Sequence, residues 1–335
     1  MPCTMLGRYP LQTARTPPLA ASPCGHRRYT LRMPDAVNPD PIAAMAWVPG
    51  MEHPLAALRR ITGHQIVTTL SQTAALAPDD AVHQMRRGLK QVRAVIALAQ
   101  AADVNGADDS AARARTIHHS LSGARDLRVL SDLIAALRRC PDMRPWDAPL
   151  AQLAAASAAT MATDNAPLTA ARWALGRLPS SIGSWTGGQQ PLRLTIALGQ
   201  SVAAVVQAMT AASTQAWGSD FHRWRRRIKT LAGQLTLWAW MPIVTQTLPT
   251  LGTIGHDLGL EHDLDLLAQQ AARLADTRDR HGLITALHRR QATLRRRALQ
   301  AGPKLCRSLV DDLMPAVMQT SPDDLGRSFT SGLGM

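Results

Sequence analysis

The sequence of 335 residues sets 37 Lys and Arg against 24 Asp and Glu, a formal net charge of +13, with 46% hydrophobic but only 4% aromatic residues. That length can bury the core of one large domain or two medium ones, and a pI near 11.1 points to a polyanion or an acidic surface as partner. Glu occurs only at Glu52 and Glu261, which excludes any mechanism built on several glutamates, and Cys3, Cys24, Cys140 and Cys306 lack the paired spacing of a zinc site or a disulfide framework.

Residues 1–50 are rich in Pro, Thr and Arg and show neither apolar periodicity nor the apolar stretch of a signal peptide. They read as a disordered tail or as sequence upstream of the true start, with Met33, Met45 and Met51 as candidate starts. From there an Ala-rich pattern of helical period predicts helices over 54–76, 80–102, 110–139, 145–163, 192–213, 218–241, 247–277 and 279–316. Pro78, Asn105-Gly106, Pro141, Pro145, Pro249 and Gly282 are the expected stops. The expected organisation is a first half over 53–165, a connection over 166–191 with a short helix near Ala170–Leu178, a second half over 192–318, and a loose Gly/Ser-rich tail over 319–335. No apolar run approaches the roughly 18 residues of a membrane span, so the expectation is a chain without one, in a reducing, cytoplasmic compartment.

An internal repeat carries the functional reading. His83-Gln-Met-Arg86-Arg-Gly-Leu-Lys90 recurs as His222-Arg-Trp-Arg225-Arg226-Arg-Ile-Lys229, both reading His-x-x-Arg-x-x-x-Lys. The chain has three lysines, Lys90, Lys229 and Lys304, and two of them occupy the same place in the two copies. Compositional bias toward Arg and Ala does not produce that coincidence. A second feature follows each copy: Arg125-Asp126-Leu127 after the first and His262-Asp263-Leu264 after the second, at separations of 40 residues from Arg86 to Asp126 and 38 from Arg225 to Asp263.

On a helix, positions i, i+3 and i+7 lie within roughly 60° of one another. His83, Arg86 and Lys90 therefore form one stripe, widened by Arg93, while Leu89, Val92 and Ile96 line an adjacent, core-facing strip. Like charges stacked this way repel by roughly a few tenths of a kcal/mol per pair. An isolated basic stripe is usually a solvated face; a stripe repeated twice is a site held open for an anion. Asp126 and Asp263 read as residues that orient an Arg or His across helices.

These segments resemble the CHAD domain, the conserved-histidine α-helical domain, over about residues 53–318. The resemblance implies an all-α fold of two four-helix bundles related by a pseudo-twofold, with a basic cleft between them. Its implied ligand is inorganic polyphosphate, bound without chemistry by His83, Arg86, Lys90, Arg93, Arg125, His222, Arg225, Arg226 and Lys229. The chain departs from the family pattern at Arg128, at Ala232 and in the helix after Pro191, where Arg193 stands alone, and Arg290 and Arg297 are expected to compensate in part. No cofactor or metal is implied, association with polyphosphate granules is expected, and the oligomeric state is not legible.

Two other readings fit the residues. His256-Asp257 and His262-Asp263 resemble the pairs of metal-dependent phosphohydrolases, although Asp263 and Asp265, two apart, point to different helix faces. The charge also suits a nucleic-acid binder, for which Trp224 inside the second motif would be the stacking residue. A structural protein of storage granules is a third reading, compatible with polyphosphate binding.

Overall fold

Leu, Ile, Val and Ala returning every three to four residues coil the chain into successive amphipathic helices. A computed structural model describes residues 46–47, 52–160, 166–187, 191–215 and 217–319, all within one unit, Pro34–Met335. Helix α1 spans Pro54–Ala74 and α2 Pro78–Ala101. Pro78 opens α2 where its missing N–H costs nothing, and Asp79 and Asp80 lie favourably against the positive end of the helix. Next come α3 (Ala107–Ser120), α4 (Ser122–Arg138), a 3-10 segment (Pro141–Trp146), α5 (Asp147–Thr160) and α6 (Ala166–Gly183). The remainder is α7 (Pro191–Thr214), α8 (Gly218–Leu235), α9 (Pro242–Ala271), α10 (Arg278–Arg307), a π-helical segment (Ser308–Leu313) and α11 (Met314–Gln319).

Packing sorts the helices into two closed rings. In one, α1 packs on α2, α2 on α3, α3 on α6, and α6 back on α1; in the other, α7, α8, α9 and α10 close in the same way. The rings join where α2 lies against α8 and α7. Helices α4 and α5 belong to neither ring. They pack on each other, α4 leaning on α2, α3 and α9 and α5 on α9 and α10. Trp185, Trp224 and Trp238 are fully buried, and one continuous apolar core runs through both rings.

Several local expectations are corrected. The helix expected over 110–139 is two helices, because Leu121, 1% exposed, turns into the core and redirects the chain. The connection expected over 166–191 holds the 18-residue helix α6, the fourth member of the first ring. Pro249 lies inside α9 and does not stop it. Gly282 lies inside α10, where a Cβ would come 2.1 Å from the Trp146 ring, so this glycine makes room for the 3-10 segment. Two residues each from Val104–Asn105 (β1) and Thr186–Gly187 (β2) form a minimal antiparallel ladder in a chain otherwise read as free of strands. Its tight turns need Gly106 and Gly187, at φ 85° and 77°.

The boundary of the packed region also lies earlier than residue 53. Ala46 and Trp47 are each 2% exposed. The Trp47 amide donates to the Leu237 carbonyl at 2.8 Å, and its own carbonyl accepts from Trp240 Nε1 at 2.8 Å. Pro41, Pro49 and Gly50 bracket this tryptophan and cut the apolar stretch short of a helical run, which is why it reads as tail. Within α7, Arg193–Thr214 is long and apolar enough to cross a membrane by length and composition, with a mean hydropathy of 1.4. The same segment buries Leu194, Leu198, Val202, Val205 and Ala212 against its ring and leaves Ile196 exposed on the other face.

Candidate functional site

The two motif helices are α2 and α8, and they touch. Gly233, late in α8, sits so close to α2 that a Cβ there would lie 2.6 Å from the Ala94 Cβ and 2.7 Å from Gln91 Oε1. Gly233 is four residues beyond Lys229 on the same face of α8, and Ala94 is four residues beyond Lys90 on the same face of α2. Each basic stripe therefore reaches toward the helix crossing.

The stripe on α2 gathers cations from α3. Arg86 is 5% exposed, and its Nη1 donates to the His118 carbonyl at 3.1 Å. Burial, and then the charges of Arg86, Arg93, Lys90 and His119, push the His118 imidazole down to about 3. Burial and the neighbouring Arg115 also hold Arg93 below its ordinary value. Lys90 and Arg93 are half-buried, and His83 is exposed one turn before Arg86. This crowding of like charge is the electrostatic signature of a place that favours an anion.

The stripe on α8 is set against α9. Arg225 is 8% exposed, and a Cβ on Gly259 would lie 3.6 Å from Arg225 Nε and 3.9 Å from Lys229 Nζ. Both heads therefore lie across α9 within van der Waals reach of a side chain at 259. His222 and His262 face each other with ring centroids 4.5 Å apart. Burial leads in pushing the His222 imidazole down to about 4, helped by His262, Arg226 and Arg225 and opposed by Asp265. Arg226 and Lys229 are exposed.

Other expected residues lie differently. Arg290 pairs with Asp142 at 2.6 Å and so ties the 3-10 segment to α10. Arg297 pairs with Asp257 at 3.3 Å, and Arg193 with Asp103 at 3.1 Å. Asp263 is half-buried and makes no hydrogen bond or ion pair among the described residues. On α9 the carboxylates that hold arginines of α10 are Asp257 and Glu261, the latter accepting from Arg295 Nε at 2.8 Å. Burial raises Glu261 above the usual carboxylate range despite that partner. The side chains of Arg125 and Asp126 lie outside the described residues, although their backbone is helical. Trp224 is fully buried and offers no face for stacking on a base. No group of three or more His, Cys, Asp or Glu placed to hold a metal occurs among the described residues.

Arg115, His118, His119 and Glu261 carry no functional reading in the sequence, and Asp257 and Asp265 enter there only in weighing a phosphohydrolase, not as neighbours of the α8 stripe. Their i, i+3 and i+4 spacings are visible in the sequence, but they occur once and no repeat marks them.

A family model described as the CHAD domain matches residues 60–239, from within α1 through α8, and so takes in both motif helices. Among solved structures, the crystal structure of the CHAD domain from the plant Ricinus communis is similar in fold, with a TM-score of 0.51 and 18% identity, covering 77% of this chain and 94% of that one. No curated protein matches the chain.

Proposed function

This chain belongs to the CHAD-domain family, and from that premise we propose that it binds inorganic polyphosphate without hydrolysing it. One observation carries the reading: two copies of the same basic stripe lie on helices that touch, at Gly233 against Gln91 and Ala94. Guanidinium groups pair with phosphate oxygens through two parallel hydrogen bonds, and each lysine adds a compact charge. Affinity then comes chiefly from neutralisation and counterion release, as in nucleic-acid binding. Arg86, Lys90 and Arg93 form one part of the site, and His222, Arg225, Arg226 and Lys229 the other, with the two rings related by a pseudo-twofold. Arg115 and His118 join the first part. Arg290 and Arg297, each engaged by an aspartate, serve the fold before they serve the ligand. Cytoplasmic residence, in association with polyphosphate granules, belongs to the same reading.

Calorimetric titration with linear polyphosphate of graded length tests it. Binding should tighten with length until a chain spans both stripes, then level off per chain, because the second contact is intramolecular. Single-stranded DNA of equal charge should compete poorly. DNA binding tighter than polyphosphate would overturn the assignment. With Mg²⁺ or Mn²⁺ present, the protein should release no phosphate from polyphosphate or nucleoside triphosphates. Turnover abolished by Asp263→Ala would replace a binding role with a hydrolytic one.

A further inference from the structure

At the N-terminal end of the α8 stripe lies a cavity of about 290 Å³ whose lining carries both signs of charge. Arg223 and Arg226 of α8 border it beside Gly218 and Ser219, the opening residues of an 18-residue helix. The N-cap, Trp217, gives that first turn no side-chain acceptor, while the buried Asp220 within the turn lies 3.7 Å from Arg223 Nη1 and offsets part of the positive helix end beside the cavity. Glu261 and Asp265 of α9 border the same space together with the His222–His262 pair. Glu261 is held by Arg295 of α10, and Asp265 Oδ2 accepts from Gln269 Nε2 at 2.8 Å. His222 Nδ1 is buried and makes no hydrogen bond among the described residues.

Cations alone would take any phosphate along a chain. Carboxylates in the same cavity turn an anion away unless it brings a proton to donate. In linear polyphosphate the interior groups have only a strongly acidic proton and are fully ionised. The terminal group keeps a second, weakly acidic one, with a pKa of about 6 as in a phosphate monoester. We propose that this cavity recognises the end of a polyphosphate chain, the terminal oxygens resting on Arg223, Arg226 and the first turn of α8 while the terminal P–OH donates to Asp265. The inference rests on the polyphosphate reading above. From this anchored end the chain runs past His222 toward Lys229 and the helix crossing, and the carboxylates bar it from continuing the other way. The charged groups around the bound P–OH are Arg223, its partner Asp220, Arg226 and His222 from α8, the two carboxylates and His262 from α9, and Arg295 from α10. As pH falls, the terminal phosphate gains its proton before the His222 imidazole does.

The test compares one chain length with free ends and with both ends esterified, measured by calorimetry at about pH 6 and about pH 8. The free-ended chain should bind about tenfold tighter at the lower pH, the scale of one charge-assisted hydrogen bond. The difference should vanish at the higher pH, and at the lower pH in Asp265→Asn. Should that variant melt abnormally, the pH dependence of the wild-type ratio decides alone. Equal affinities at the lower pH overturn end recognition and leave polyphosphate binding standing. A preference that persists unchanged at the higher pH marks steric obstruction by the ester groups and also overturns it. If neither chain binds, the polyphosphate reading falls, and this inference with it.

Discussion

Arg86 and Arg225, 5% and 8% exposed, are the deepest charges of their stripes, and their depth separates two kinds of contribution. Arg86 holds the His118 carbonyl, so Arg86→Ala should cost about 1–3 kcal/mol of stability in urea unfolding by stranding a buried acceptor. Lys90 and Arg93 are only half-buried. Lys90→Glu with Arg93→Glu should leave melting near wild type, weaken polyphosphate binding and flatten its salt dependence. Arg278→Glu, at an exposed position away from both stripes, should do neither. Protonation gives a second handle. His118 and His222 are held at about 3 and about 4, below the ordinary imidazole value, so the unfolded chain takes up their protons first as pH falls. Their contribution to stability is complete above about 6.5 and is lost below it, down to the folded values. A bound polyanion favours the charged imidazoles, so the rise in melting temperature caused by polyphosphate should grow between about pH 7 and pH 5, as thermal scans with and without ligand would show. The duplicated spacing marked Arg86, Lys90, Arg225 and Lys229 in the sequence. It did not mark His118, which reaches the site from a helix with no matching copy of the motif.

The crossing of α2 and α8 depends on one missing methyl. Gly233→Ala places a carbon 2.6 Å from the Ala94 Cβ, an overlap that should cost about 1–3 kcal/mol. Ala94→Gly in the same chain should recover much of that loss in a double-mutant cycle, while Ala94→Gly alone should destabilise slightly. Because the overlap would also part the two stripes, Gly233→Ala should weaken long polyphosphate more than short. Helix periods made most elements legible. Pro249 and Gly282 misled because their meaning depends on partners distant in sequence: Gly282 exists for the Trp146 ring, and Pro249 is absorbed within a 30-residue helix. The grouping of helices was less legible still. The fourth helix of the first ring, α6, arrives only after the α4–α5 excursion. In each ring the His-x-x-Arg-x-x-x-Lys helix comes second.

Across the whole molecule, a net charge of +13 works against compactness, and a bound polyanion relieves it. Polyphosphate should therefore stabilise the fold in proportion to the logarithm of its concentration above Kd. The two rings are also fastened by the chain before α1. Trp47→Ala should cost about 3–5 kcal/mol, and a chain begun at Met51 should lose a comparable amount, read as a lowered urea midpoint. The contacts of Trp47 have a further consequence for synthesis. Its carbonyl accepts from Trp240, 193 residues later. During translation the first ring can pack as soon as α6 has emerged, but Trp47 meets Leu237, Trp238 and Trp240 only when α8 and the turn beyond it leave the ribosome. Closing so long a loop is a late and slow event. Between the emergence of residue 183 and that of residue 240 the chain therefore carries this tryptophan unsheltered on an otherwise packed half, and this is the interval in which a nascent-chain chaperone would find it.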